Sequence, residues 1–161
     1  IVYNIPGRTG KNIENTTMLR LADHPNIVGV KEASGDINQM MELISSKPRD
    51  FIVLSGDDNL IFPLITLGGA GVISVASNII PDRMSSFVEK ALSGDYEAAR
   101  AMHYELLPLF RTMFLETNPM PVKTAMAMKG LTREVFRLPM CPMADANRAK
   151  LEEVLKRFSV I

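Results

Sequence analysis

Lys31 stands in Ile27-Val28-Gly29-Val30-Lys31-Glu32-Ala33, where an ammonium-bearing side chain interrupts a short apolar run with the composition of a buried β-strand. Removal from water disfavours the charged form of a lysine, and the neutral amine that results can attack a carbonyl carbon and form a Schiff base. The same placement also suits a lysine at a strand end that bends into solvent or pairs with Glu32. Gly29, two residues earlier, shares the side of the strand that carries Lys31, and its missing side chain would leave room beside the amine. The adjacent carboxylates of Asp57 and Asp58 have no third ligand in the sequence, so a turn or helix-capping role is expected and no metal site is assigned. Cys141 is the only cysteine, cannot form an internal disulfide and lacks metal-ligand spacing, so a structural role is expected. His24 and His103 have no ligand-like neighbours in the sequence and read as surface or packing residues.

The elements that position Lys31 follow from periodicity. Four strand-like runs, Ile1–Asn4, Ile27–Ala33, Phe51–Ser55 and Gly71–Val75, recur at spacings of roughly 20 to 26 residues, each followed by a segment of helical pattern. Ile13, Leu19, Leu21 and Ala22 supply the first helix face, with Asn12 or Asn15 as its cap. Asp36 is expected to cap a second helix with the stripe Met40, Met41, Leu43 and Ile44. Asn59 is expected to cap a third, Leu60–Leu67, which Gly68-Gly69 ends. Strand and helix alternating with such short loops imply parallel strands joined by crossovers, hence an α/β fold. Polar and reactive residues collect at the carboxyl end of every run: Tyr3-Asn4, Lys31-Glu32, Ser55-Gly56-Asp57-Asp58, and Ser74 through Ser77-Asn78. That is the face on which (β/α)8 barrels build their sites. Four units fall short of the eight strands and about 250 residues of a closed barrel, so the second half of such a barrel is expected, completed by chain outside this sequence.

From Pro81 onward only helical patterns occur. Pro81 opens a helix that Gly94 closes, Asp95 caps a longer one running to Phe114 with Pro108 inside it, and Pro121 opens another that ends at Gly130. Leu151, Val154, Leu155 and Phe158 mark a last helix. The expected organisation is residues 1–80 as the barrel half and 81–161 as the last barrel helix followed by a C-terminal α-helical domain. The eleven methionines mostly fall on apolar faces and read as core filling. Eighteen basic and eighteen acidic residues cancel, with no basic run, so neither nucleic acid nor an anionic membrane is an expected partner. No apolar stretch reaches the roughly 20 residues of a membrane span, and no signal-like leader opens the sequence, so a cytoplasmic location is expected. The opening Ile1-Val2-Tyr3-Asn4 reads as a strand already in progress, as in part of a longer polypeptide.

Four segments together carry a resemblance: Tyr3-Asn4-Ile5-Pro6-Gly7-Arg8-Thr9-Gly10, Gly29-Val30-Lys31-Glu32-Ala33-Ser34-Gly35, Leu54-Ser55-Gly56-Asp57-Asp58, and Gly68-Gly69-Ala70-Gly71-Val72-Ile73-Ser74. In order and spacing they resemble the dihydrodipicolinate synthase (4-hydroxy-tetrahydrodipicolinate synthase) family, and the resemblance continues through Asn118-Pro119-Met120-Pro121-Val122-Lys123 and Leu138-Pro139-Met140 to the end. It corresponds to the family's C-terminal portion. The family comprises class I aldolase-like lyases of lysine and diaminopimelate biosynthesis, built on a TIM barrel with a C-terminal helical domain.

The resemblance implies that Lys31 condenses with the ketone of pyruvate and that the resulting enamine attacks the aldehyde of aspartate semialdehyde, with no further cofactor. It makes Tyr3 the proton shuttle, where the residue type alone equally suits an aromatic filler with its hydroxyl on backbone. Arg8 would hold the semialdehyde carboxylate, where otherwise it is a solvated loop charge; sialic-acid lyases and sugar-acid aldolases of the same superfamily generally lack arginine there. Ile73 would face pyruvate through its backbone carbonyl, and Gly56 would let a strand end approach the site. Asn4, Thr9 and Ser34 are expected in turns or behind the reacting groups. Family members also carry a glycine-threonine-threonine loop for the pyruvate carboxylate and a second tyrosine from a neighbouring subunit, neither of which is in this sequence. The segment alone is therefore expected to be inactive, and a homotetramer built as a dimer of dimers is the expected assembly. An N-acetylneuraminate lyase-like or other pyruvate-dependent sugar-acid aldolase, or a non-catalytic oligomerising fragment, are the alternatives.

Overall fold

In the computed structural model, which describes residues 1–161, one four-stranded parallel sheet runs in sequence order. Its strands are β1 (Val2–Asn4), β2 (Gly29–Glu32), β3 (Ile52–Ser55) and β4 (Gly71–Val72). Eight α-helices accompany them: α1 (Pro6–Thr9), α2 (Asn15–Ala22), α3 (Ile37–Ser46), α4 (Ile61–Thr66), α5 (Pro81–Leu92), α6 (Tyr96–Thr112), α7 (Met120–Met128) and α8 (Asp145–Arg157). The α/β alternation expected from periodicity is present, with every strand shorter than its apolar run.

The register sorts the side chains. Tyr3 pairs with Lys31 and Lys31 with Leu54, whereas Asn4 pairs with Glu32 and Glu32 with Ser55. Because neighbouring residues of a strand point to opposite faces, Tyr3, Lys31 and Leu54 share one face, and Asn4, Glu32 and Ser55 the other. The second face also carries Val2, Val30 and Val53, which pack with Met18 of α2, Met40 and Leu43 of α3, Phe51 and Leu64 into one apolar cluster. Each fully buried side chain of this kind stabilises the fold by roughly 1.5–3 kcal/mol. The first face is open, with Tyr3 44% exposed. The apolar run around Lys31 therefore makes a strand packed on one side, and Lys31 is half-buried rather than enclosed.

Local chemistry explains the helix starts. Asp36 accepts hydrogen bonds from the N–H groups of Asn38 at 2.9 Å and Gln39 at 3.2 Å and so caps α3 as expected. Before α4, Asp57 rather than Asn59 is the cap: its carboxylate takes the Asn59 N–H at 2.9 Å and starts a 3₁₀ turn over Asp58–Leu60. Neither Asn12 nor Asn15 caps α2, since the side chains of both are turned to α3. On α3, Met40 and Leu43 are buried while Met41 is exposed, which narrows the expected stripe. Gly68, at φ 103°, ends the third crossover helix in a conformation that favours glycine.

The chain forms two compact units, one of Ile1–Ser74 with Val88–Ala99 and the other of Val75–Phe87 with Arg100–Ile161. In the second, Phe87, Leu106, Leu109, Phe110, Met113, Leu151 and Leu155 are fully buried. Glu134 joins its loop to α8 through Arg148, whose guanidinium reaches both carboxylate oxygens at 2.5 and 2.7 Å, and Thr124 of α7 donates to the same carboxylate at 2.9 Å. Gly94 at φ 85° and Gly130 at φ 76° end their helices as expected, Asp95 caps α6 by accepting from the Ala98 N–H, and α6 ends at Thr112 rather than Phe114. Cys141, expected in a structural role, is exposed. No helix is long and apolar enough to cross a membrane.

Candidate functional site

The carboxyl ends of β1, β2 and β3 bring together three of the residues singled out in the sequence. The Lys31 Nζ lies 4.0 Å from the centroid of the Tyr3 ring, a direct result of their paired register and shared face. Gly56 follows β3, and a Cβ placed on it would stand 3.1 Å from Lys31 Cε and 2.7 Å from Ala33 Cβ. Any other residue at position 56 would therefore press on the lysine stem and, harder, on the Ala33 methyl. Gly29 serves another purpose than the one expected: a Cβ there would lie 2.3 Å from Ile52 Cγ1 and 2.6 Å from Ile52 O. Its missing side chain admits β3 rather than widening the surroundings of the amine.

Ile73 directly follows β4, and its N–H donates to Ser55 O at 2.9 Å, which holds it at the end of β3. Arg8 lies in the short α1, exposed, one turn beyond β1. Thr9 closes that turn through hydrogen bonds from its hydroxyl to Ile5 O at 3.1 Å and Lys11 O at 2.9 Å. The site face therefore holds an amine on an aromatic ring and a glycine that clears its path, with a loop arginine in the turn that leaves β1.

Glu32 does not pair with Lys31. Alternation sends its carboxylate to the packed face, where it accepts from Asn4 Nδ2 at 3.2 and 3.0 Å and from the Ser34 N–H at 2.7 Å. The alternative in which Glu32 neutralises the lysine is thereby removed. Asn4, expected in a turn or behind the reacting groups, and Glu32, weighed as an ion-pair partner of Lys31, are both buried, and their equal register, one step beyond Tyr3 and Lys31, brings them into contact.

A family model, the dihydrodipicolinate synthetase family, matches residues 1–158. The 4-hydroxy-tetrahydrodipicolinate synthase of Koribacter versatilis is 51% identical over 161 residues, covering 100% of this chain and 54% of that protein. Among solved structures, dihydrodipicolinate synthase from Aquifex aeolicus superposes with a TM-score of 0.96 at 45% identity, over 98% of this chain and 54% of that one. The chloride-inhibited dihydrodipicolinate synthase from Acinetobacter baumannii, solved in complex with pyruvate, gives a TM-score of 0.95 at 40% identity, over 99% and 55%. The chain spans about half the length of the relatives it matches. With the paired lysine and tyrosine on a fold shared at this level of identity, the chain belongs to the dihydrodipicolinate synthetase family.

Proposed function

We propose that this segment supplies the covalent centre of a 4-hydroxy-tetrahydrodipicolinate synthase, with pyruvate and aspartate semialdehyde as substrates. The observation that carries the reading is Lys31 Nζ lying 4.0 Å from the Tyr3 ring centroid at the carboxyl ends of two paired parallel strands. The neutral Lys31 amine adds to the ketone carbon of pyruvate, the carbinolamine loses water, and the iminium withdraws electrons from the adjacent methyl group. Loss of one methyl proton then gives the enamine, with the Tyr3 phenol receiving and returning protons. The enamine carbon bonds to the aldehyde carbon of the semialdehyde, whose oxygen takes up a proton. Its amino group next adds to the former ketone carbon, and expulsion of the Lys31 amine closes the ring and restores the enzyme.

Arg8 offers the planar fork that a substrate carboxylate needs, and Gly56 leaves the lysine its path. The backbone carbonyl of Ile73 faces the bound keto acid. In this reading the four strands are the second half of a (β/α)8 barrel, residues 1–80, and α5 is its last helix. The remaining helices through residue 161 form an appended helical domain. The pyruvate carboxylate clamp and a second tyrosine come from outside these residues, so the segment alone turns over no substrate and the complete enzyme works as an oligomer.

Borohydride reduction of the full-length polypeptide with pyruvate, followed by peptide mass analysis, tests the reading. Label on the peptide containing Lys31 is expected, and its absence would overturn the Schiff-base mechanism. Faster condensation with N-acetylmannosamine than with aspartate semialdehyde would move the chain to the sugar-acid aldolases.

A further inference from the structure

Behind the reacting pair runs a buried polar chain that no step above uses. Asn4 and Glu32 are each only 1% exposed. The Asn4 amide donates to both Glu32 oxygens and, at 3.0 Å, to Asn12 Oδ1, while its own oxygen accepts the Ile13 N–H at 3.1 Å. Asn12 continues to Gln39 Oε1 of α3 at 2.8 Å. The backbone of Glu32 adds to this, since its carbonyl accepts the Gly56 N–H at 2.7 Å, and the Asn4 carbonyl accepts the Ala33 N–H at 2.9 Å.

Resting on the Schiff-base reading, we infer that Glu32 and Asn4 are positioning residues that fix the Tyr3 hydroxyl against the imine on Lys31. Each sits one residue along the strand from a reacting group, on the opposite face, so a shift in their mutual spacing is transmitted through a single rigid peptide to Tyr3 and Lys31. An apolar pair would join these strands without the cost of burying a carboxylate. What the carboxylate adds is direction. It accepts only, and two donors, the Asn4 amide from β1 and the Ser34 N–H from the turn after β2, converge on it, which sets one arrangement of the two strand ends with Gly56 held beside them. Proton transfer depends steeply on such placement.

The test uses the full-length polypeptide and two readouts: borohydride-trapped pyruvate on Lys31, and deuterium exchange into the pyruvate methyl group, which reports proton removal from the imine. Glu32→Gln puts an amide donor against the Asn4 donor, and Asn4→Asp sets two carboxylates together. Each is expected to keep trapping and the KM for pyruvate within about threefold of wild type while exchange and kcat fall together by about 10- to 100-fold. The double variant Asn4→Asp with Glu32→Gln exchanges donor and acceptor and is expected to regain about tenfold of the loss. Wild-type exchange in Glu32→Gln together with a lowered melting temperature would overturn the inference, leaving the pair a role in folding only. Should the buried variants fail to fold, Asn12→Ala loosens the same chain from its half-buried end. An exchange rate about three- to tenfold below wild type is expected there, and an unchanged rate overturns the inference. A wild-type protein that traps no pyruvate removes the Schiff-base reading itself, and the positioning role with it.

Discussion

At the scale of single residues, the proposed function makes different demands on Arg8 and Gly56. Arg8 is exposed in a four-residue helix, so its removal costs the fold little, whereas a lost fork for a carboxylate is felt by the substrate that bears it. Arg8→Ala in the full-length polypeptide is expected to raise the KM for aspartate semialdehyde about 10- to 100-fold and to leave that for pyruvate within about twofold in steady-state kinetics. Equal effects on both substrates would show that Arg8 does not choose the acceptor. Gly56→Ala sets a methyl 2.7 Å from Ala33 Cβ and 3.1 Å from Lys31 Cε. A loss of about 1–3 kcal/mol in denaturant unfolding, together with slower borohydride trapping of pyruvate, is the expected outcome. Lys31 was legible as a cation in an apolar run that has to be accounted for, but that run is a strand packed on one side, and the Schiff-base role rests on the four-segment resemblance. The use of Glu32 was not, since sequence adjacency suggested an ion pair that the alternation of a strand forbids.

At the scale of elements, capping chemistry was readable where a single acidic residue preceded a periodic run. Asp36 is the clear case, and Asp36→Ala is expected to cost about 1 kcal/mol in thermal or urea unfolding by leaving the Asn38 and Gln39 N–H groups without their acceptor. Asn12 and Asn15 misled because an asparagine that suits a cap equally suits a tertiary hydrogen bond, and Gln39 on α3 offers both of them a partner. Strand lengths were overestimated for a related reason. Apolar composition marks residues able to pair, but pairing needs a neighbour, and β4 finds one only at Leu54 and Ser55. The space that Gly29 provides could not be read at all without Ile52, twenty-three residues away, which fills it.

For the molecule as a whole, two groups make stability depend on pH in the same direction. Burial holds His103 below its ordinary 6.5, beside the rings of Phe87 and Phe110. The hydrogen bond from Arg148 holds Glu134 below its ordinary 4.5, against the smaller opposing effect of burial. In both cases the unfolded chain binds the proton first as pH falls, so their stabilisation is complete above the ordinary value and is lost as pH drops through the lower folded value. Urea midpoints are expected to decline below about pH 6.5 and again below about pH 4.5; His103→Leu should remove the first decline and Glu134→Gln should reduce the second, which Glu152 beside Lys156 shares.

The order of the sheet has a consequence for how the chain comes into being. From β2 onward each strand pairs with the one synthesised just before it, so every ladder joins segments only about 17 to 28 residues apart in the chain. A nascent polypeptide can add one unit at a time to a growing edge, without waiting for a distant partner to leave the ribosome. Tyr3 and Lys31 come together as soon as β1 and β2 pair, without help from β3 or β4.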